Sequence, residues 1–240
     1  MKITRLTPLL TAVMIVGLSS TLLAGAYDDD SRAQKPASTY IAEPDQARLQ
    51  IRAAAQTLIG YKGRAIYRNG KKYPNDCSGM VRSIFDAVGV DVFAEAYNAP
   101  RGSNGVAIIW HTYKNKSWKD TKRQPRTGDL IVFNNTYDKN RNKKWDDTLT
   151  HVAIVTGVEE NGTVVMIHHV NSGIRRYRMN FEKRNISTEN GVRYNNALRR
   201  RPKSDPNRAK YLTSNLFYRY IDIIGNSSKK RTTIQTNTKS

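Results

Sequence analysis

The only cysteine of the chain, Cys77, has the sequence surroundings of a nucleophile. It follows the polar pair Asn75-Asp76 and precedes an apolar pattern of helical spacing, so it is predicted to begin a helix. A lone cysteine cannot form an intramolecular disulfide, which removes its usual structural use. Unpaired N–H groups and the dipole at a helix N-terminus favour thiolate, so we expect a lowered pKa. The alternative, a small buried apolar residue, fits the polar flanks less well.

A thiol nucleophile requires a base, and two predicted strands carry three of the four histidines. His151 opens one β-branched run, and His168 and His169 lie in the next. The base takes the thiol proton, and a further polar group fixes the tautomer of its imidazole. The remaining histidine, His111, lies in a predicted helix beside Trp110 and is interpreted as structural.

The choice between the adjacent histidines follows from hairpin geometry. Neighbours along a strand point to opposite faces, so only one of His168 and His169 can face His151. A four-residue loop, with Val158 paired to Thr163, places His168 on the face of His151. A bulge or a three-residue loop reverses this parity and promotes His169 instead.

The elements around these residues predict an α+β fold in which N-terminal helices pack on an antiparallel sheet. Apolar residues at helical spacing predict helices over residues 44–58, 77–88, 103–114 and 208–224. Short β-branched runs predict strands over residues 130–133, 151–155, 164–170 and 174–179. The turn Glu160-Asn161-Gly162 joins the second and third of these strands into a hairpin, so the sheet is expected to be antiparallel.

Four segments in this order resemble the DCSG, GDLxxF, HVxI and IH signatures of NlpC-type cell-wall cysteine peptidases, which are papain-like. They are Asp76-Cys77-Ser78-Gly79, Gly128-Asp129-Leu130-Ile131-Val132-Phe133, His151-Val152-Ala153-Ile154-Val155 and Ile167-His168. The resemblance covers roughly residues 45–180. It implies a papain-like domain with Cys77 as nucleophile, His151 as base and His168 as the residue that orients the base. It also implies peptidoglycan stem peptides as substrates, commonly cut beside D-glutamate, and no required cofactor.

The chain departs from this family pattern ahead of the cysteine. Many relatives place a tyrosine about a dozen residues before the nucleophile, where this chain has Ala65. The nearest tyrosines are Tyr61 and Tyr67, so the role of that tyrosine is unassigned. The extension after residue 180 is also not explained by the family pattern.

The long connection between residues 133 and 151 resembles the start of a calcium-binding loop. Oxygen-bearing side chains alternate along it, at Asp138, Asn140, Asn142, Asp146 and Asp147. An EF-hand loop expects glycine at its sixth position and glutamate at its twelfth, where this chain has lysine and leucine. Two interpretations stay open: a calcium ion with a structural role, or a solvated polar loop.

The N-terminus has the pattern of a secretory signal peptide. Lys2 and Arg5 precede an apolar run that ends in the small residues Ala24-Gly25-Ala26. The sequence therefore predicts a signal peptide over residues 1–26, a disordered lead-in over 27–40, the enzyme domain with its extension over 41–225 and a disordered basic tail over 226–240. The mature protein is expected in the periplasm or outside the cell, without a stable membrane anchor.

The strong positive charge predicts an anionic partner. The formal charge is +20, and it falls to +18 once Lys2 and Arg5 leave with the signal peptide. For an exported protein we expect peptidoglycan or another anionic wall polymer rather than nucleic acid. A basic surface that is merely solvated is the alternative, and the protein is expected to be a monomer.

Together these patterns predict an exported cysteine hydrolase that cleaves an amide bond in peptidoglycan stem peptides through a Cys thioester. Two alternatives use the same scaffold: acyl transfer and N-acyl amidase chemistry. A third is a non-catalytic module that binds the cell wall. Housekeeping and effector roles are both compatible with the sequence.

Overall fold

The structure, a computed structural model, describes residues 44–115, 119–120 and 124–225. The predicted signal peptide over residues 1–26, the lead-in over 27–40 and the basic tail over 226–240 lie outside the described residues. Within the described ranges, no helix combines the length and the apolar character needed to cross a membrane.

The described residues form four helices and ten strands. The helices are α1 (Pro44–Gln56), α2 (Cys77–Asp86), α3 (Gly105–Asn115) and the short α4 (Thr213–Leu216). The strands are β1 (Ala65–Arg68), β2 (Lys71–Pro74), β3 (Lys119–Asp120), β4 (Leu130–Phe133), β5 (His151–Val158), β6 (Val164–Val170), β7 (Gly173–Met179), β8 (Thr188–Glu189), β9 (Val192–Arg193) and β10 (Phe217–Asp222). The fold is therefore α+β.

Six of these strands form one antiparallel sheet, in the order β3-β10-β4-β5-β6-β7. The three predicted N-terminal helices and the four predicted strands are present. The helix predicted over residues 208–224 is wrong, because only Thr213–Leu216 is α-helical and Phe217–Asp222 is β10, which pairs with β4 inside the sheet. The aromatic and β-branched residues from Phe217 onward favour an extended backbone, and the pairing partner that decides the matter is far away in sequence.

Two short hairpins were not anticipated from the sequence. β1 pairs with β2 across Asn69-Gly70, and β8 pairs with β9 across Asn190-Gly191. All four turn residues have positive φ angles, from 48° to 77°, as expected for the Asn-Gly turns that match strand twist. The dipeptides were a readable signal, because Asn and Gly tolerate this backbone region better than other residues.

The sheet separates two apolar clusters. One face, with Val152, Ile154 and Ile167, packs against α1, α2 and α3. The opposite face, with Phe133 and Met166, is covered by the segment after residue 180. That segment contributes Leu198, Leu216, Phe217 and Tyr220 to the second cluster. The extension is thus an integral layer of the domain.

A buried ion-pair network attaches α1 to the sheet. Arg48 donates 2.9 Å and 2.7 Å hydrogen bonds to the carboxylates of Asp129 and Asp222. These three side chains are almost fully buried, and Arg126 adds a second contact to Asp222. Removing one partner would leave a buried charge uncompensated, which is typically strongly destabilising. The network fixes α1 beside the start of β4 and the end of β10.

Candidate active site

Cys77 is the first residue of α2, at the position predicted for a nucleophile. Asp76 caps the helix, because its Oδ1 accepts hydrogen bonds from the Gly79 backbone N–H at 2.8 Å and from the Ser78 hydroxyl at 2.7 Å. Gly79 is required here, since a Cβ at this position would collide with the carbonyl oxygen of Pro74. The segment from residue 76 to 79 therefore holds the start of α2 tightly against β2.

The expected lowering of the Cys77 pKa is not found. Burial, followed by the negative charge of Asp76, raises the pKa of the thiol to about 11. The backbone N–H groups of Val152, Ser78 and Cys77 itself favour the thiolate and oppose this rise in the pKa. The helix start thus acts in the predicted direction, but desolvation outweighs it. The resting side chain is a neutral thiol at physiological pH.

The backbone N–H of Val152, the residue after His151, lies at the sulfur and places the thiol against the start of β5. The two histidines predicted to act together are in contact, since His151 Nε2 lies 2.9 Å from His168 Nδ1. Their rings meet edge to face, with centroids 5.1 Å apart. Because Nε2 of His151 is engaged by His168, Nδ1 is the ring nitrogen of His151 that this contact leaves unused.

The register that produces this contact differs in detail from the expected one. Val158 pairs with Val164 rather than with Thr163, so the loop is one residue longer than predicted. A bulge between Val155 and Gly157 then restores the register, and Ile154 pairs with Ile167. Either change alone would have placed His168 on the opposite face of the sheet from His151. Together they cancel, and His168 reaches the face of His151.

Both histidines are buried, and burial keeps them neutral. Burial and then the nearby His169 lower the pKa of His151 to about 4. Burial likewise lowers the pKa of His168 well below its usual value. The ring of His168 packs 4.1 Å from that of Tyr177, and His151 lies near Phe133. Phe133 and Tyr177 belong to the second apolar cluster, so these contacts lie on the face of the sheet to which the extension contributes.

One nitrogen of this pair has no protein partner. Nε2 of His168 is buried and makes no hydrogen bond in the described part of the chain. A neutral His168 that accepts at Nδ1 carries its proton on this Nε2, and His151 then donates from its own Nε2. In that tautomer the free Nδ1 of His151 has a lone pair, as a base requires.

His169 lies near this pair, whereas His111 lies on α3. His169 points to the other side of β6 and lines the neighbouring cleft, where burial lowers its pKa and Asp76 partly opposes the effect. His111 hydrogen-bonds Asn115 one turn further along α3. Parity along the strand thus selects His168 as the contact of His151.

Tyr137 is a neighbour of the thiol that sequence reasoning missed. Burial and then the nearby Cys77 raise the pKa of its phenol, which also hydrogen-bonds Asn104. Asn104 in turn caps α3 through Ala107 N–H and donates to the carbonyl of Leu149. The tyrosines noted ahead of the cysteine have other surroundings: Tyr61 donates to the carbonyl of Ala65, and Tyr67 is exposed.

An open cleft of about 630 Å³ leads away from His151. It lies between the loop after β4, the end of β6 and the extension. Its lining residues are Thr136, Tyr137, His151, His169, Val170, Asn171, Ser172, Tyr177, Ala197, Leu198, Arg199, Arg200 and Arg201. This cleft was not predicted from the sequence, because its three arginines lie outside the family pattern.

The oxygen-bearing loop predicted to hold calcium is folded on itself. Asp138 accepts from the backbone N–H groups of Asn142 and Lys143, and Asp146 accepts from the side-chain amides of Asn140 and Asn142. Asp147 Oδ1 accepts from Asn140 N–H, whereas its buried Oδ2 has no partner. In the described residues, no three histidine, cysteine or acidic side chains cluster as metal ligands.

Comparison with protein families matches residues 66–170 to the CHAP domain, a domain of cell-wall peptidases and amidases. This agrees with the resemblance to NlpC-type, papain-like enzymes. The matched span contains Cys77, His151 and His168. It suggests peptidoglycan hydrolase or amidase activity, with peptidoglycan as the substrate. No curated protein and no solved structure matches the chain.

Proposed function

We propose that this protein is an exported cysteine hydrolase that cleaves an amide bond in peptidoglycan stem peptides. The observation that carries the proposal is the arrangement of Cys77 at the start of α2, against the start of β5, with the contact between His151 and His168. The thiol lies at the start of α2, close to the backbone N–H of Val152 at the start of β5. The imidazole beside it is held by a second imidazole at 2.9 Å. Nucleophile, base and orienting group are the three parts that thiol hydrolysis needs.

In the first half of the reaction the substrate amide acylates the enzyme. Cys77 Sγ attacks the carbonyl carbon while its proton moves to Nδ1 of His151. Backbone N–H groups at the start of α2 stabilise the oxyanion. The carbon–nitrogen bond then breaks, His151 gives the proton to the leaving amine, and a thioester remains on Cys77.

In the second half a water molecule attacks the thioester. His151 takes a proton from the water, the carbon–sulfur bond breaks, and the proton returns to the thiol. His168 keeps Nδ1 of His151 directed at the sulfur throughout. The neutral resting state of both groups means that proton transfer accompanies attack, since no thiolate is stored beforehand.

Product analysis distinguishes peptidase, amidase and acyltransferase activity. Mass spectrometry of purified peptidoglycan after digestion is expected to show muropeptides with a shortened stem and a new free amino group. Release of whole stem peptides from the glycan would identify an N-acyl amidase. Products joined to an added amine would identify an acyltransferase, and unchanged peptidoglycan would leave only wall binding.

Export and a structural calcium ion are further parts of the proposal. The signal-peptide pattern supports a periplasmic or secreted location. The unpartnered carboxylate oxygen of Asp147 and the alternating oxygens of its loop support calcium. Calorimetry with millimolar calcium chloride distinguishes the two interpretations of this loop, because a bound structural ion would give heat of binding and a raised melting temperature. No heat and an unchanged melting temperature would make the segment an ordinary polar loop.

A further inference from the structure

The wall of the cleft beside His151 has an unbalanced charge. Arg199, Arg200 and Arg201 line it, and none of its lining residues is an aspartate or a glutamate. These arginines come from the extension after residue 180, outside the span matched by the family. The cleft of this chain is therefore more basic than the matched domain alone would make it.

Two of the three arginines have structural contacts. Arg199 donates to the carbonyl of Asn135 at 2.8 Å, and its guanidinium lies 4.2 Å from the ring centre of Trp145. Arg201 donates to the carbonyls of Pro202 and Asp205. The contacts of Arg199 attach the extension to the loop after β4, and those of Arg201 stay within the extension, so the residues on both sides of Arg200 are held.

Arg200 is different. Its side chain is exposed and makes no hydrogen bond or ion pair within the described residues. Asp205, the nearest acidic residue along the chain, is already paired with Lys210 and Tyr211. Arg200 is thus a free guanidinium on a backbone held at both neighbours, facing a cleft that begins at the candidate base.

We propose that Arg200 determines substrate specificity by binding a carboxylate of the stem peptide. A guanidinium recognises a carboxylate through paired hydrogen bonds, which distinguish it from the isosteric carboxamide. Polar groups of Asn171 and Ser172 line the same cleft and can complete the contact. This inference rests on the proposed function, since it assumes that a stem peptide enters the cleft.

Two synthetic muropeptides test the inference when they differ only in whether the glutamate carboxyl is free or amidated. The wild-type enzyme is expected to cleave the free acid with a kcat/KM about tenfold or more above that of the amide, the effect of one charge-assisted hydrogen bond. Arg200→Gln is expected to lose this preference, mainly through a raised KM for the acid. Arg200→Lys is expected to keep part of it.

Arg208→Gln is the matched control. Arg208 is exposed in the same extension, outside the cleft, so the variant removes one positive charge without touching the wall. It is expected to keep the wild-type preference. An equal loss in both variants would show long-range attraction only, and an unchanged preference in Arg200→Gln would overturn the inference.

A binding experiment separates failure of this inference from failure of the proposed function. Calorimetry with the Cys77→Ala protein, with and without Arg200→Gln, measures the affinity for both peptides without turnover. Tighter binding of the acid that disappears in the Arg200→Gln protein supports the inference. If the wild-type enzyme cleaves both peptides and neither assay distinguishes them, the inference fails alone. If it neither binds nor cleaves them, both fail.

Discussion

The buried imidazole of His151 makes the stability of the fold depend on pH in a way that one substitution can reveal. Burial lowers the pKa of His151 in the folded protein to about 4, whereas an unfolded histidine titrates near 6.5. Below about pH 6.5 the unfolded chain takes up a proton here and the folded chain does not. The free energy of unfolding is therefore undiminished above this pH and falls as the pH drops toward 4.

The magnitude follows from the two pKa values. Between about pH 7 and about pH 4.5, proton uptake by the unfolded chain at this one residue lowers the free energy of unfolding by roughly 2 kcal/mol. His168, whose pKa burial also lowers, adds a loss of the same sign. Asp129, whose pKa is raised by burial, acts in the opposite direction. Asp129 is unchanged in every variant, so its contribution cancels when the variants are compared.

Urea unfolding at the two pH values measures the effect. His151→Gln keeps a polar side chain but removes the titration, so its stability is expected to fall by roughly 2 kcal/mol less than that of the wild type. His111→Gln, a substitution outside the site, is expected to behave like the wild type. The same pH dependence in His151→Gln and in the wild type would refute the assignment of a neutral, desolvated imidazole.

Three further predictions address the roles of individual groups. Because His168 contacts His151 and His169 faces the cleft, His168→Ala is expected to lower turnover far more than His169→Ala; the opposite ranking in folded proteins would make the histidine assignment wrong. Because the Cys77 pKa is raised to about 11, alkylation by iodoacetamide is expected to be slow at neutral pH and to become about tenfold faster for each pH unit up to that pKa. An alkylation rate that is already independent of pH near neutrality would indicate a thiolate–imidazolium pair. Retention on purified cell wall is expected to weaken steeply with salt, since screened attraction over a Debye length of about 8 Å would dominate, and retention indifferent to salt would indicate a neutral binding pocket instead.

The positions of Cys77, His151 and His168 in the fold were predictable because they depend on local patterns. Cys77 is placed by the capping residue Asp76, by the close packing of Gly79 and by the helical repeat of α2. All of these lie within about a dozen residues of one another. His151 and His168 belong to one hairpin, so parity along two strands is enough to bring them to one face. The loop length was wrong, but the bulge in β5 compensated for it. The correct contact therefore rested on two cancelling departures.

The surroundings of the site could not be predicted, because they depend on contacts between distant segments. Phe217 to Asp222 has apolar residues compatible with a helix, and only its pairing with β4 makes it a strand. The Cys77 pKa depends on how deeply the thiol is covered, which the helix dipole alone does not reveal. Arg200 lines the cleft beside His151 only because the extension folds back next to that histidine.

The central claim is that Cys77 forms the covalent intermediate, and digestion of purified peptidoglycan by the wild type and by Cys77→Ala tests it most directly. The substitution removes one sulfur atom from a half-buried site, so the urea unfolding curve is expected to stay close to that of the wild type. Muropeptide release, followed by mass spectrometry, is expected to fall to the level without enzyme. His151→Ala should match this loss, and the double variant should be no slower, because the two residues act as one unit. Wild-type product release by a folded Cys77→Ala protein would contradict the account.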